Sequence, residues 1–200
     1  TRNNYKIWLS SFCSWLVEKQ YMETNPCERI KSLKEEDKKR TAISPEDLKR
    51  ITKYLSENDP YYLLVCRMEY YTFIRPEELT NIKLCDINLK EQKILVASNI
   101  SKNRRDGMVG LNDEIIKQMI DLHIFDSKGF KPGYKKITTR VIRDRFYKLR
   151  SVLKLPDTYL FYSFKDSGIR DLANSAGIVV ARDQARHTDI STTNKYLKGS

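Results

Sequence analysis

Apolar residues recur along most of the chain at helical spacing, so helices are the predominant element that the pattern predicts. In residues 5–20 this spacing predicts an amphipathic helix with one apolar face, formed by Trp8, Phe12, Trp15 and Leu16. The sequence then turns polar, and residues 31–40 carry the mixed charges of a solvated linker. The pattern therefore predicts a domain boundary at 31–42, between one unit at 1–30 and another at 43–200.

Helix-start signals open the second unit. Ser44 is a suitable N-cap residue, and it is followed by a proline at the first helical position and a carboxylate three positions after the cap. This helix is expected to end near Ser56, and a second helix is expected at 61–72. A third helix is predicted to start at Pro76, which leaves Arg75 in the turn before it.

Two β-prone runs follow these helices. Residues 93–97 and 107–111 are separated by the polar stretch 98–106, which predicts an antiparallel hairpin with a basic tip. Asn112 then caps a helix expected at 113–123.

The C-terminal third returns to helical patterns. Thr138 introduces a strongly basic helix that continues through Arg150. From Tyr162 onward, three short helices are predicted, with breaks at Gly177 and His187. The predicted fold is mainly α, of the α+β class, with a small antiparallel β-hairpin or sheet.

The charge of the chain narrows the choice of partner. Its 200 residues include 37 Lys and Arg against 26 Asp and Glu, a formal charge of +11. This balance favours a polyanionic partner such as nucleic acid over an acidic small molecule. A ribosomal or membrane-surface role would fit the charge equally well, so charge alone does not decide among these.

The cysteines and the N-terminus bear on the compartment. The cysteines lie far apart without a Cys-x-x-Cys pair, which predicts reduced thiols in a cytoplasmic protein; they are Cys13, Cys27, Cys66 and Cys85. No apolar run approaches the roughly 20 residues of a membrane helix, and the first residues carry no signal-peptide pattern, so we expect no membrane partner. Because the chain starts at Thr1, without an initiator methionine, we expect it to be a fragment.

Four short blocks contain the residue types that metal-independent phosphodiester cleavage needs. That chemistry requires a nucleophile, cationic donors for the charge on phosphorus, and an acid for the departing oxygen. The blocks are Thr72-Phe-Ile-Arg-Pro-Glu-Glu-Leu79, Ser101-Lys-Asn-Arg-Arg105, Phe161-Tyr-Ser-Phe-Lys-Asp-Ser-Gly168, and Arg186-His187 with Tyr196 nine positions after the histidine.

In this order and spacing, the blocks resemble those of the tyrosine recombinase (phage integrase) family, and the match covers nearly the whole chain. The resemblance implies a helical catalytic domain at 43–200. It also implies that residues 1–30 are the last helix of a truncated core-binding domain, because such a domain precedes the catalytic domain in this family.

The resemblance also implies roles for individual residues. Arg75 would grip the scissile phosphate, Lys102 on the hairpin would be the general acid, and His187 would donate a hydrogen bond to the phosphate. Tyr196 would be the nucleophile. Taken singly, each has a plainer interpretation: Arg75 could be a surface arginine paired with Glu77 or Glu78, and a helical tyrosine is far more often part of the packing.

The third block departs from the commonest family pattern, which has a histidine, two spacer residues and a second arginine. Here Tyr162 stands in the histidine's place and Lys165 in the arginine's. This Lys-Asp-Ser-Gly version resembles a subgroup of mobile-element integrases, especially from Bacteroidetes. Arg170 is an alternative for the second-arginine role. Asp166 either holds Lys165 in position or is, like His187, a candidate base for the nucleophile.

The resemblance implies a site-specific DNA recombinase that works through a 3′-phosphotyrosyl intermediate, with no cofactor and no metal ion. Its partner would be double-stranded DNA, and it would act as a homotetramer on two duplexes and could be a monomer in the absence of DNA. Two other functions stay open: a non-catalytic DNA-binding module derived from this family, and a type IB topoisomerase-like enzyme.

Overall fold

The computed structural model describes residues 2–34, 40–125 and 137–197. The chain divides into two compact units, residues 1–39 and 40–200. Within the described ranges, no helix is long and apolar enough to cross a membrane. Residues 35–39 of the predicted linker lie outside the described ranges.

The first unit contains one long helix, α1 (Arg2–Glu18), as the apolar spacing predicts. The chain then folds back along it, because the Asn25 side-chain amide donates to the Ser10 carbonyl oxygen and to the hydroxyl groups of Ser10 and Ser14. Large apolar side chains of α1 stay exposed to solvent in this structure, among them Tyr5, Trp8, Phe12 and Trp15.

The second unit begins with the helices α2 (Pro45–Asn58), α3 (Pro60–Thr72) and α4 (Pro76–Leu79). The N-cap of α2 is Ser44 as predicted, and its hydroxyl accepts from the backbone N–H of Asp47. Helix α3 is capped in the same way by Asp59. Helix α4 starts at Pro76 as predicted, but it is only four residues long.

The predicted hairpin forms from β2 (Lys93–Val96) and β3 (Gly107–Gly110), paired antiparallel with Ile94 opposite Val109. A further short strand, β1 (Ile87–Asn88), pairs with β2 and gives the sheet order β1-β2-β3. The pattern did not predict β1, because a two-residue strand is too short to show an alternation of apolar and polar positions.

The remaining helices are α5 (Asp113–Asp121), α6 (Thr139–Val152), α7 (Ser163–Ala176), α8 (Ile178–Gln184) and α9 (Ile190–Asn194). Asn112 and Thr138 are the N-caps of α5 and α6, as predicted. The last three helices are separated at Gly177 and by the turn containing His187. The mainly α fold with a small antiparallel sheet is therefore confirmed.

Helices α3 and α7 pack so closely that their contact determines where the site residues lie. Gly168 on α7 lies against the backbone of α3, and a Cβ atom there would overlap the carbonyl oxygen of Tyr70. Both helices contribute to a buried apolar cluster, through residues such as Cys66 and Phe164. The third block on α7 is thereby held beside the end of α3, where the first block begins.

Candidate active site

The carboxylate of Glu78 connects three of the four blocks. Its Oε1 accepts from Arg75 Nη1 at 3.0 Å and from the backbone N–H of Lys102 at 3.2 Å. Its Oε2 accepts from the backbone N–H of Arg75 at 3.1 Å and from Arg186 Nη2 at 2.5 Å. Burial alone would raise the pKa of Glu78, but these hydrogen bonds outweigh it and lower the pKa. The group is therefore an ionised carboxylate that holds cations around it.

Arg75 and the Lys102 loop are brought together by this carboxylate. Arg75 is the N-cap residue of α4. The Lys102 side chain is exposed on the loop between β2 and β3, as expected for the tip of a hairpin. Arg75 does pair with Glu78, as the plainer interpretation expects, but the carboxylate of Glu78 is buried rather than on the surface. The Arg75 side chain is 21% exposed. It therefore retains donors for a ligand.

His187 and Tyr196 form a stacked pair. Their ring centroids are 5.7 Å apart, with an angle of 17° between the ring planes. His187 Nδ1 lies 3.0 Å from the hydroxyl oxygen of Thr193 on α9, which orients the imidazole. Burial, followed by the charges of Lys165, Arg75 and Arg186, lowers the pKa of His187 to about 4. The imidazole is therefore neutral at physiological pH and lies among cations.

The phenolic oxygen of Tyr196 accepts a hydrogen bond from Tyr162, the residue in the place of the missing histidine. The pKa of Tyr196 is raised on balance, because burial and then the charge of Asp166 outweigh a hydrogen bond from Tyr162 and the charge of Arg40, which lower it. Burial likewise raises the pKa of Tyr162. Both phenols are therefore protonated at neutral pH, and Tyr162 donates its hydrogen bond to the phenolic oxygen of Tyr196.

Lys165 lies beneath these groups and is fully buried, with 0% of the residue exposed. Its ammonium donates to the carbonyl oxygen of Phe73 at 2.7 Å, and it lies 5.6 Å from the ring centroid of Tyr162. Burial lowers the pKa of Lys165 to about 8, against the opposing effect of Glu69. In this conformation the ammonium does not reach a ligand that binds from solvent.

The other groups of the third block have partners that the sequence did not reveal. The carboxylate of Asp166 accepts two hydrogen bonds from Arg40, from Nε to Oδ2 at 2.5 Å and from Nη2 to Oδ1 at 3.1 Å. Both carboxylate oxygens are therefore bound by the guanidinium. The same guanidinium lies 4.5 Å above the Tyr162 ring. Arg170, the alternative to Lys165, donates instead to Asp171 and to the carbonyl oxygen of Ile43.

Three residues of this site were missed in the sequence: Arg40, Glu69 and Glu78. Arg40 lies in the predicted linker, 126 positions from its partner Asp166, so no local pattern could have found it. Glu69 is fully buried on α3, and neither of its carboxylate oxygens has a hydrogen-bond partner within the described part of the chain. Glu78 was named only as a possible surface partner of Arg75.

Across residues 2–34, 40–125 and 137–197, no group of His, Cys, Asp and Glu side chains has the arrangement of a metal site. The cysteines are free thiols, and all but Cys85 are buried.

A sequence profile of the Phage integrase family matches residues 41–200. No curated protein sequence matches the chain significantly.

Solved structures similar to the chain include the Tn1549 transposon integrase in complex with a circular intermediate DNA. It is 17% identical with a TM-score of 0.78, and the match covers 97% of this chain and 73% of that one. A lambda integrase tetramer bound to a Holliday junction is 13% identical with a TM-score of 0.80, covering 98% and 59%. The XerA recombinase is 16% identical with a TM-score of 0.66, covering 98% and 71%.

Proposed function

Because the chain belongs to the Phage integrase family, that of the tyrosine recombinases, we propose that it cleaves and rejoins DNA at specific sites through a covalent bond to Tyr196. The observation that carries this proposal is the stacking of Tyr196 on a neutral His187, next to the cations that Glu78 gathers. Burial raises the pKa of Tyr196 in the free chain, and the nearby cations oppose this by favouring the phenolate that attacks the phosphodiester.

The proposed step forms one bond and breaks another at phosphorus. The phenolic oxygen of Tyr196 attacks the scissile phosphate, and the bond from phosphorus to the 5′ oxygen breaks. The Lys102 ammonium gives its proton to that oxygen, and the phenolic proton passes to solvent. The products are a 3′-phosphotyrosyl bond and a free 5′ hydroxyl, so a 5′ hydroxyl from another strand can reverse the step.

The remaining groups stabilise charge in this proposal. Arg75 binds the non-bridging oxygens with the donors that Glu78 does not use. His187, neutral and oriented by Thr193, donates from its other ring nitrogen. Lys165 acts through space as a buried positive charge, since its ammonium is bonded to Phe73. The hydrogen bond from Tyr162 stabilises the phenolate as it attacks.

Double-stranded DNA is the proposed partner. The formal charge of +11 supports it, as do the similar folds of the Tn1549 integrase bound to a circular intermediate DNA and of the lambda integrase tetramer bound to a Holliday junction. We propose that this chain likewise acts as a homotetramer on two duplexes.

We also propose that residues 1–30 are the C-terminal helix of a core-binding domain and that 43–200 form the catalytic domain. The large exposed apolar side chains of α1 support the first assignment, since a helix with such a face is usually part of a larger packed structure. The profile match beginning at residue 41 supports the second.

A second function, DNA binding without catalysis, is favoured by one observation. Lys165, in the place of the second arginine, is fully buried and bonded to a backbone carbonyl. A chain that had lost catalysis would tolerate such a burial.

The test is covalent trapping on a nicked substrate made from the recombination site of the element that encodes the chain, in the presence of EDTA. The wild-type chain is expected to form a protein–DNA adduct, and Tyr196→Phe is expected to form none. Tyr61→Phe, which changes an exposed tyrosine on α3, is the matched control and is expected to behave as the wild type. DNA binding without any adduct would overturn the catalytic proposal in favour of the binding module.

A further inference from the structure

Arg186, immediately before His187, adopts a backbone conformation that is unusual for its residue type. Its φ is 56°, in the left-handed region that arginine rarely occupies. Such a conformation persists only where the surroundings hold it, and it is found preferentially at functional sites. The strain alone assigns no role to Arg186, whereas the contacts of its side chain do.

The side chain of Arg186 runs across the hairpin toward the site. Its methylene groups lie against Gly107 on β3, where a Cβ atom would come within 2.7 Å of Arg186 Cδ. The glycine thus leaves the space through which the guanidinium reaches Glu78. The side chain of Arg186 thus connects the turn that carries His187 to the hairpin that carries Lys102.

Glu78 places two guanidinium groups side by side. Arg75 Nη1 donates to Oε1 and Arg186 Nη2 donates to Oε2. Each guanidinium has five N–H donors in a planar fork, so most of them are left over from these bonds. Among the described groups, Arg186 Nε is a buried donor without a hydrogen-bond partner. Two adjacent cationic forks with unused donors are suited to a phosphate.

Exposure distinguishes Arg186 from Lys165. Arg186 keeps 13% of its side chain exposed, whereas Lys165 has none of its surface in contact with solvent. Both charges lower the pKa of His187, which indicates that they lie on the same site. Only Arg186, of these two, can contact a phosphate that arrives from solvent without a rearrangement of the core.

We propose that Arg186 supplies the second guanidinium that contacts the scissile phosphate, while Lys165 supplies a buried charge beneath it. This inference rests on the proposed function, because it assumes that the chain cleaves DNA. It assigns the contact to a residue of the fourth block, whereas the sequence placed it on α7, at Lys165 or Arg170.

A purely structural role for Arg186 predicts different behaviour. If its ion pair with Glu78 only fastens the turn before α9 to α4, then removing it lowers stability and disturbs cleavage whatever the charge on the phosphate. If Arg186 neutralises the phosphate, its loss matters less when the phosphate itself is uncharged. A methylphosphonate at the scissile position, with a methyl group in place of one non-bridging oxygen, provides that comparison.

The experiment compares adduct formation by the whole chain on phosphodiester and methylphosphonate substrates of the same sequence. Arg186→Gly removes the guanidinium and suits the left-handed backbone. We expect it to slow adduct formation roughly 100-fold on the phosphodiester and to recover to within about tenfold of the wild type on the methylphosphonate. Arg182→Ala, which alters an arginine of α8 paired with Asp183, is the matched control and is expected to match the wild type on both substrates.

The other outcomes would overturn either the inference about Arg186 or the proposed function. A rate for Arg186→Gly close to the wild type, or a slow rate that the methylphosphonate does not relieve, would overturn the inference and leave the proposed function intact. If Arg186→Gly does not fold by circular dichroism, Arg186→Lys replaces it; this variant keeps the charge without the fork and is expected to show the same relief in smaller measure. Absence of an adduct with the wild-type chain on the phosphodiester would overturn the proposed function itself, and the inference with it.

Discussion

The charge state of His187 is the residue-scale feature from which most of the proposed chemistry follows. A neutral imidazole between cations can donate one hydrogen bond while adding no further positive charge to the site. Burial and then the charges of Lys165, Arg75 and Arg186 keep it neutral. Of these cations, Arg75 and Arg186 are proposed to contact the phosphate.

This charge state makes stability depend on pH in a defined window. The pKa of His187 is about 4 in the folded chain, below its ordinary value of 6.5, so the unfolded chain binds more protons between these values. We therefore expect the melting temperature to fall as the pH drops from 6.5 toward 4, and we expect a smaller fall for His187→Asn. Thermal melts across this range measure it, and identical pH profiles for the two chains would contradict the assignment.

The ion pair between Arg40 and Asp166 supports a second residue-scale prediction. Asp166 raises the pKa of Tyr196 and Arg40 lowers it, so removing the guanidinium leaves an unopposed negative charge near the phenol. Arg40→Ala is expected to slow adduct formation by about tenfold, because the unpaired carboxylate disfavours the phenolate that attacks.

Adding Asp166→Asn to Arg40→Ala is expected to restore most of the rate, because the second change removes the charge that the first left unpaired. Arg50→Ala breaks an exposed ion pair with Asp47 on α2 and is the control. Rates measured in single-turnover trapping decide the matter, and a double variant no faster than Arg40→Ala would contradict the account.

At the scale of elements, the crossing of α3 and α7 is the contact on which the site depends. A side chain at position 168 would meet the backbone of α3 at Tyr70, which cannot move aside as a flexible side chain could. Gly168→Ala is therefore expected to lower the free energy of unfolding by about 3 kcal/mol. Chemical denaturation measures this loss.

Gly177→Ala provides the comparison for this contact. Gly177 has a φ of 94° but open space around its Cα, so alanine there meets backbone strain without a clash. The cost is expected to be about 1 kcal/mol. Equal losses for the two variants would mean that the helix crossing is less tight than the structure indicates.

Local sequence signals predicted the elements well where caps and spacing were present. Ser44, Asn112 and Thr138 marked helix starts that the structure confirms. The strand β1 was not predicted, because two residues are too few to show an alternation of apolar and polar positions. The sequence also contained no signal that marked the end of α4 at Leu79.

The site was predictable only in part, because several of its contacts join segments that are distant in sequence. Motif spacing pointed to Arg75, His187 and Tyr196, and the structure brings them together. Spacing could not reveal that Lys165 is buried, since burial results from the packing of α7 against α3. Nor could the spacing reveal that Arg40 pairs with Asp166 or that Glu78 binds Arg186, because those contacts join segments that are distant in sequence.

At the scale of the whole molecule, the excess of positive charge predicts how DNA binding responds to salt. Each Lys or Arg that neutralises a phosphate releases counterions, so affinity falls as salt rises. We expect Kd for duplex DNA to rise at least about tenfold between roughly 50 and 200 mM salt. Tyr196→Phe should show the same dependence, because it removes no charge at neutral pH. Fluorescence anisotropy measures it, and a salt-independent Kd would contradict a phosphate-dominated interface.

Whether Tyr196 becomes covalently bound to DNA is tested by identifying the modified residue in the trapped adduct. Digesting the adduct with protease and nuclease and sequencing the product by mass spectrometry locates the modified side chain. We predict a nucleotide attached through its 3′ phosphate to Tyr196. Attachment to another residue, or attachment through a 5′ phosphate, would contradict this prediction.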